Sequence, residues 1–250
     1  MSNDSTLYDR FWSGTDAWNA WRADYPDILP DASGLDLCGC PLEGANLAGV
    51  VFRGTNLQGT ALEDANLRGA DLRGASLAGS CLDGTDLTDA LTEGTDFEGA
   101  DLRGAELNGA KLVQTDLSRT SLRNASAIGV DLTGAGLVSV DARGADLSEA
   151  TVLGAYLTGA RLSGASLRAV DVGAAAHLPA DLRRADLRAT IWGELDATEV
   201  ALAGADLAGA DLRSTRLEGV DLSGVRHRGA RLAGAVLADA NLRGADLREA

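Results

Sequence analysis

The 250-residue sequence has few large aromatic side chains and no long apolar run. Aromatic residues make up 4% of the chain, and much of its 45% hydrophobic content is alanine, which excludes a conventional core of large side chains. No apolar run approaches the roughly 18 residues of a membrane-spanning helix, and the N-terminus resembles no signal peptide. We therefore expect a cytoplasmic protein without a membrane partner.

Motifs for catalysis and for metal binding are also missing. Cys38, Cys40 and Cys81 fit neither a disulfide framework nor a paired zinc-binding pattern. The sequence contains no GxSxG, no HExxH and no phosphate-binding glycine loop, and its many carboxylates recur at regularly spaced, solvent-facing positions. We expect neither an enzyme nor a site for a metal or cofactor.

The most prominent pattern in the sequence is a strict period of five residues. From Leu37 to Leu247 the period runs through 43 positions, of which 32 are leucine, and a small side chain stands two residues earlier at 41 of the 43. This spacing would drift around a helix, and in a flat strand it would send successive leucines to opposite faces. Each unit must therefore form one side of a coil that stacks on its neighbours. The period alone does not distinguish three sides per coil from four.

The repeated A(D/N)LxG motif, as in "GADLRGASL" and "ANLRGADLREA", resembles the pentapeptide-repeat family over residues 35–250. The resemblance implies an all-β solenoid, a right-handed quadrilateral β-helix of about eleven coils. In such a fold the leucine lies at the centre of each side, and the small residue two positions earlier shares the narrow interior. We call the leucine position the central position.

Residues 1–34 lie outside the repeat and are interpreted as an N-terminal helical cap. Thr15 is expected to N-cap a helix that runs to about Asp24, with Trp18, Trp21 and Tyr25 on one face. These aromatic rings would cover the exposed end of the first coil. A helix that binds a separate partner is the alternative.

The repeat becomes irregular around residues 171–200. There His177 and Trp192 occupy central positions, and Pro179 stands where glycine is usual. An indole would crowd an interior built for leucine, which predicts a bulge, a widened coil or a short excursion. This segment is either a binding loop or a set of decayed repeats absorbed by local distortion. His227, at another central position, is predicted to be a buried neutral histidine.

The sequence stops in mid-pattern at "ANLRGADLREA". Its last coil has an apolar floor formed by Leu232, Leu237, Leu242 and Leu247. Either the chain is truncated, or this coil meets a second copy through a twofold axis to form a homodimer.

Charge is distributed unevenly over the four sides that a twenty-residue coil would have. The chain has a net charge of −15, and when the outward positions are sorted by side, one side sums to −6 and the others to −1, −3 and −1. On that side only Arg119 and Arg216 oppose the acidic residues. The residues predicted to bind a partner there are Asp96, Glu98, Asp116, Asp196, Glu199 and Glu218.

The family resemblance suggests a function for such an acidic rod. A long, narrow, acidic rod is similar to the branch of the family that binds DNA gyrase and topoisomerase IV in place of the DNA duplex. Members of that branch protect these enzymes from quinolones or other topoisomerase poisons. The expected partner is such a type II topoisomerase or another basic protein surface, without direct binding of nucleic acid. The alternative is a generic protein–protein interaction scaffold whose acidity keeps it soluble.

Overall fold

Parallel pairing between residues twenty apart organises the repeat region. In the computed structural model, which describes residues 4–250 and their side chains from Leu7 onward, the pairs begin with Asp31 and Val51 and end with Arg226 and Asp246. An offset of twenty residues equals four pentapeptides, so each coil has four sides. The chain from Asp31 onward forms about eleven such coils.

Each side contributes a single bridged residue in place of a strand. The bridged residue precedes the central one, and no longer strand is present in the described part of the chain. The reason is the turn that follows nearly every central residue: the Val50 amide donates to the Leu47 carbonyl, with Gly49 at a φ of 68°. The solenoid prediction is therefore confirmed, but continuous β-strands are not formed. The right-handed sense stays a prediction.

The interior is a column built from two residues per side. Leu67 and Ala65 are both buried, and this pattern recurs along the rod. Where threonine takes the small position it also bonds to the backbone, as when Thr55 Oγ1 donates to the Ala32 carbonyl at 2.8 Å. The predicted interior of one large and one small residue per side is confirmed.

Two helices precede the coils. Helix α1 spans Asp4–Trp12, which the sequence analysis did not predict, and helix α2 spans Thr15–Asp24, as expected. The N-cap of α2 is Gly14 and not Thr15, and no side chain caps the helix. Gly14 has a φ of 95°, which L side chains rarely adopt, so the turn between the helices falls on glycine. Coil pairing begins at Asp31, within the segment interpreted as cap.

Helix α2 supplies the hydrogen bonds that a preceding coil would make. Trp18 Nε1 donates to the Asn46 carbonyl at 2.8 Å, and Arg22 Nη2 donates to the Ala48 carbonyl at 2.9 Å. Asn19 Oδ1 accepts from the Asn46 amide at 2.7 Å. Within the rod, the corresponding backbone groups pair with the coil before them. Three side chains thus take the place of backbone on this side of the first coil.

The aromatic residues of the N-terminal segment differ in how far they contribute to this cover. Trp18 is 0% exposed and stacks on Phe11 of α1, with ring centroids 4.3 Å apart. Trp21 is half-buried beside Trp18. Tyr25 is the C-cap that follows the end of α2, so it is not part of the helix as predicted. It is 51% exposed, and its ring packs on Trp21.

The irregular segment begins with a one-residue shift. A 3-10 helix, Val172–Ala174, precedes His177, and Tyr156 pairs with His177 at an offset of 21. The shift moves His177 outward into solvent, so its predicted central position is wrong, and the half-buried Leu178 faces inward instead. Pro179 is buried. The next pair, Arg161 with Asp181, is again twenty apart, so the step from one bridged residue to the next, His177 to Asp181, is one residue shorter than usual.

Trp192 keeps its predicted central position. It is fully buried, and its Nε1 donates to Thr190 Oγ1 at 2.9 Å. The interior has room for the indole because the neighbouring central residues are small: Val172 in the coil before and Ala197 on the next side. Gly173 lies so close to the Trp192 backbone that an added Cβ would come within 2.8 Å of its carbonyl oxygen. The distortion expected around Trp192 is found both in the preceding coil and on the side of Trp192 itself, where the usual turn after the central residue is absent.

The last coil is less buried than those before it. Leu232, Leu237 and Leu242 are half-buried, and Leu247 is 41% exposed. Dimerisation through these residues stays a prediction.

Between residues 4 and 250, no helix is both long and apolar enough to cross a membrane.

Candidate protein-binding side

Seven aspartates, spread over three sides of the rod, are neutralised by arginines two residues later. Arg143, for example, donates from Nε and Nη2 to the two oxygens of Asp141 at 2.7 and 2.6 Å, and this bonding lowers the pKa of Asp141. The same bond from Arg73 to Asp71 lowers the pKa of that carboxyl to about 2. The pairs are Asp71–Arg73, Asp101–Arg103, Asp141–Arg143, Asp181–Arg183, Asp186–Arg188, Asp211–Arg213 and Asp246–Arg248.

The fourth side lacks this arrangement throughout its described residues. We call it the acidic side; its central positions are residues 37, 57, 77 and every twentieth residue to 237, with Leu178 replacing 177. It has two arginines. Arg119 forms an ion pair with Glu98, and Arg216 binds both Asp196, at 2.9 Å, and Glu218, at 2.7 Å. Eight acidic residues against these two leave a net charge of −6.

The six predicted binding residues lie on this side in two clusters. Asp96, Glu98 and Asp116 form the first, where Asp96 and Asp116 are bridge partners in successive coils. Desolvation, followed by the charge of Asp116, raises the pKa of Asp96. Asp196, Glu199 and Glu218 form the second cluster. Four coils separate Asp116 from Asp196, which at roughly 4.8 Å per coil is about 19 Å.

An apolar zone that the sequence analysis missed separates the two clusters. Val138 and Tyr156 are exposed at outward positions of the acidic side, and the Tyr156 ring lies 5.5 Å from the His177 ring. The available signal was the presence of bulky residues at outward positions in "GLVS" and "AYLTG". The acidic side is therefore acidic at two places, with an aromatic centre.

A cleft of about 500 Å³ lies beside this centre, at the second acidic cluster. We call it the His177 cleft; its lining includes His177, Leu178, Pro179, Leu195, Asp196 and Glu199. Leu195 is only half-buried, and it stands at a position that holds a small residue in 41 of the 43 repeats. The one-residue shift and this oversized side chain together leave the depression.

His177, Pro179 and Trp192, singled out from the sequence, have different roles around the cleft. His177 and Pro179 line it, whereas Trp192 is buried in the interior. In the part of the chain that the structure describes, no three histidine, cysteine or carboxylate residues are grouped to hold a metal ion.

The four-sided solenoid of five-residue units defines the class of protein, and comparison with known proteins identifies the family. The pentapeptide repeats family model matches in several copies within residues 33–172 and 180–250. The chain therefore belongs to the pentapeptide repeat family. The unmatched residues 173–179 coincide with the one-residue shift.

Solved structures of this family include proteins of varied origin. HetL from the cyanobacterium Nostoc, involved in heterocyst differentiation regulation, is 35% identical, with 89% of this chain and 93% of HetL covered and a TM-score of 0.35. Full-length QnrB1, a plasmid-mediated fluoroquinolone resistance protein, is 16% identical, with 86% and 92% covered and a TM-score of 0.25. A protein from the thylakoid lumen of Arabidopsis thaliana is 25% identical, with 54% and 69% covered and a TM-score of 0.14.

No curated protein sequence matches the chain. The family match indicates no enzymatic family.

Proposed function

We propose that this protein is a non-enzymatic DNA mimic that binds a type II topoisomerase, DNA gyrase or topoisomerase IV, through the acidic side. In this role it protects the enzyme from quinolones or other topoisomerase poisons. The observation that carries the proposal is the contrast between sides: paired arginines neutralise aspartates on three sides, and no such pair is found among the described residues of the fourth. A basic surface that normally binds DNA would be attracted to that fourth side.

The net charge of the rod is large enough to attract a basic protein surface, but it is lower than that of a DNA duplex of the same length. The repeat region, residues 35–250, carries −11. Eleven coils at roughly 4.8 Å span about 52 Å, over which B-DNA carries about 30 charges. The rod thus has about a third of the charge density of DNA. Concentrating −6 on one side places the strongest field where a basic groove would approach.

The experiment is a gyrase supercoiling assay with and without a quinolone. The protein should restore supercoiling in the presence of the drug, and reversing the charges at Asp96, Glu98 and Asp116 to lysine should abolish this effect. Added salt should weaken it, because exposed charges are screened within about 10 Å at 0.1 M ionic strength.

The matched control reverses three carboxylates on other sides, Asp86, Asp131 and Asp146. Each accepts a hydrogen bond from the amide two residues later, and none has an ion pair within the described chain. Among Asp96, Glu98 and Asp116, only Glu98 has an ion-pair partner within the described chain, Arg119, so Asp71 and Asp101, which are both bound by arginines, are poorer controls. Equal loss of protection from both triple variants would show that only net charge counts and would contradict the assignment to the acidic side.

The exposed apolar centre favours a second candidate function. Val138 and Tyr156 have no counterpart in a purely electrostatic mimic, and they suit a general protein–protein interaction scaffold. A protein that leaves supercoiling unchanged at every drug concentration would support the scaffold and reject the mimic.

A further inference from the structure

We propose that the His177 cleft receives an arginine side chain from a basic protein partner. The inference rests on the proposed function only in taking a basic protein as the partner of the acidic side. It assigns a specific contact to a site at which the repeat is broken.

The size and the walls of the cleft suit a long side chain with a charged end. Its volume of about 500 Å³ falls within the usual range for ligand pockets. Leu178, Pro179 and Leu195 supply apolar walls. The aliphatic part of an arginine packs against such walls while its head group reaches polar partners.

Two carboxylates lie where the head group would arrive. Asp196 is held in place because its Oδ1 accepts hydrogen bonds from the Thr198 amide, at 3.2 Å, and from Thr198 Oγ1, at 2.7 Å. Glu199 lines the same cleft and forms no ion pair within residues 7–250. A planar guanidinium can bond to carboxylates with two parallel N–H groups, which an ammonium cannot.

The protein already places one guanidinium at this position. Arg216 Nη1 donates to Asp196 Oδ2 at 2.9 Å, and the two side chains are each 53% exposed. Ion pairs this exposed are weak. Arg216 also binds Glu218 through Nε, at 3.2 Å, and Nη2, at 2.7 Å. An incoming arginine can therefore replace Arg216 at Asp196 while Arg216 remains bound to Glu218.

The surroundings add a preference for a flat cation. His177 lines the cleft, and the exposed ring of Tyr156 lies 5.5 Å from the His177 ring. Guanidinium groups stack on aromatic faces and are attracted by their electron-rich surfaces. This again favours arginine over lysine.

The test is an NMR titration of the full-length, 15N-labelled protein. The probe is the peptide acetyl-Ala-Arg-Ala-amide, and its control replaces arginine with citrulline, which has a similar shape and no charge. The arginine peptide should shift amide signals of residues 177–180 and 195–200, and the citrulline peptide should bind about tenfold more weakly. Shifts spread along the whole acidic side, equal binding of the two peptides, or no localised shifts at millimolar peptide would overturn the proposal.

Variants of the chain sharpen the result. Asp196→Asn and Glu199→Gln should each weaken binding severalfold. Asp131→Asn is the matched control, because Asp131 accepts the same two bonds from Thr133, at 3.0 and 2.6 Å, on another side. Asp131→Asn should leave binding unchanged, and an equal loss in all three variants would overturn the proposal.

Removing the internal competitor should have the opposite effect. Arg216→Gln frees Asp196 and should tighten binding severalfold, whereas Arg226→Gln, which removes an equal charge from a pair with Asp206, should tighten it much less. Equal tightening in both variants would contradict the exchange at Asp196.

The titration and the supercoiling assay can fail separately. Localised peptide binding without gyrase protection would leave the arginine site standing and reject the topoisomerase partner. Gyrase protection without localised peptide binding would support the topoisomerase partner and reject the arginine site.

Discussion

Replacing His227 with leucine is expected to stabilise the C-terminal coils. His227 occupies a central position, is 1% exposed, and has no hydrogen-bond partner at either ring nitrogen. Each buried unsatisfied polar group costs about 1–3 kcal/mol, and leucine has none to satisfy. Leucine already fills 32 of the 43 central positions, so the interior accepts its shape. With two such groups in His227, we expect the variant to gain about 2–6 kcal/mol near neutral pH.

The same substitution should remove a loss of stability in mild acid. Burial lowers the pKa of His227 from its ordinary value of 6.5. Between that lowered pKa and 6.5 the unfolded chain binds more protons than the folded protein, so the free energy of unfolding rises with pH across this window. The stability is fully present above pH 6.5 and is lost as pH falls through the window. The slope reaches at most about 1.4 kcal/mol per pH unit.

Residue-resolved hydrogen exchange is the suitable assay, because a repeat array can unfold in parts. Opening free energies of amides near Leu207 and Leu247, one coil to either side of His227, should fall between pH 7 and pH 5 in the original protein and stay level in His227→Leu. The chain has only two histidines, and the exposed His177 provides the control, His177→Leu, which should keep the pH dependence. If His227→Leu keeps the same slope, or if His177→Leu removes it, the reasoning is wrong.

Two further predictions concern the ends of the rod. Trp18→Ala should lower the free energy of unfolding by about 3–5 kcal/mol and speed hydrogen exchange at residues 37–57, since it empties a fully buried site. Replacing the half-buried Trp21 should cost less. Unchanged exchange in Trp18→Ala would rule out the cap. At the other end, sedimentation should show a dimer that Leu242→Arg dissociates, because the last coil exposes apolar area, and a monomer at tens of micromolar would reject this prediction.

The period predicted the interior because every side obeys one local rule. A leucine and a small residue two positions earlier are needed at each step, so the sequence alone located nearly all of the core. The period did not predict the bridges, because hydrogen bonds between successive coils arise only when the coil closes. Helix α1 was missed because it has only nine residues. Leu7 and Phe11, four residues apart, give too little periodic signal to predict a helix.

The shift at His177 was hidden from the sequence by its own compensation. One residue is added before His177 and one is lost after it, so the five-residue period resumes unchanged. Numbering alone therefore placed His177 in the interior. The division of the acidic side into two clusters was readable from residue numbers, but the aromatic centre and the cleft depend on which side chains the shift exposes.

The pairing at twenty residues ties the surface to the arithmetic of insertions. Duplication of one pentapeptide would leave the interior intact, since any unit stacks on any other, yet it would rotate every later residue onto the next side. Asp116 and Asp196 share a side because 80 residues, a multiple of twenty, separate them. A gain or loss of five residues between them would turn the two acidic clusters a quarter-turn apart without weakening the fold. A lineage of such rods can therefore change length freely only in whole coils if it is to keep one partner.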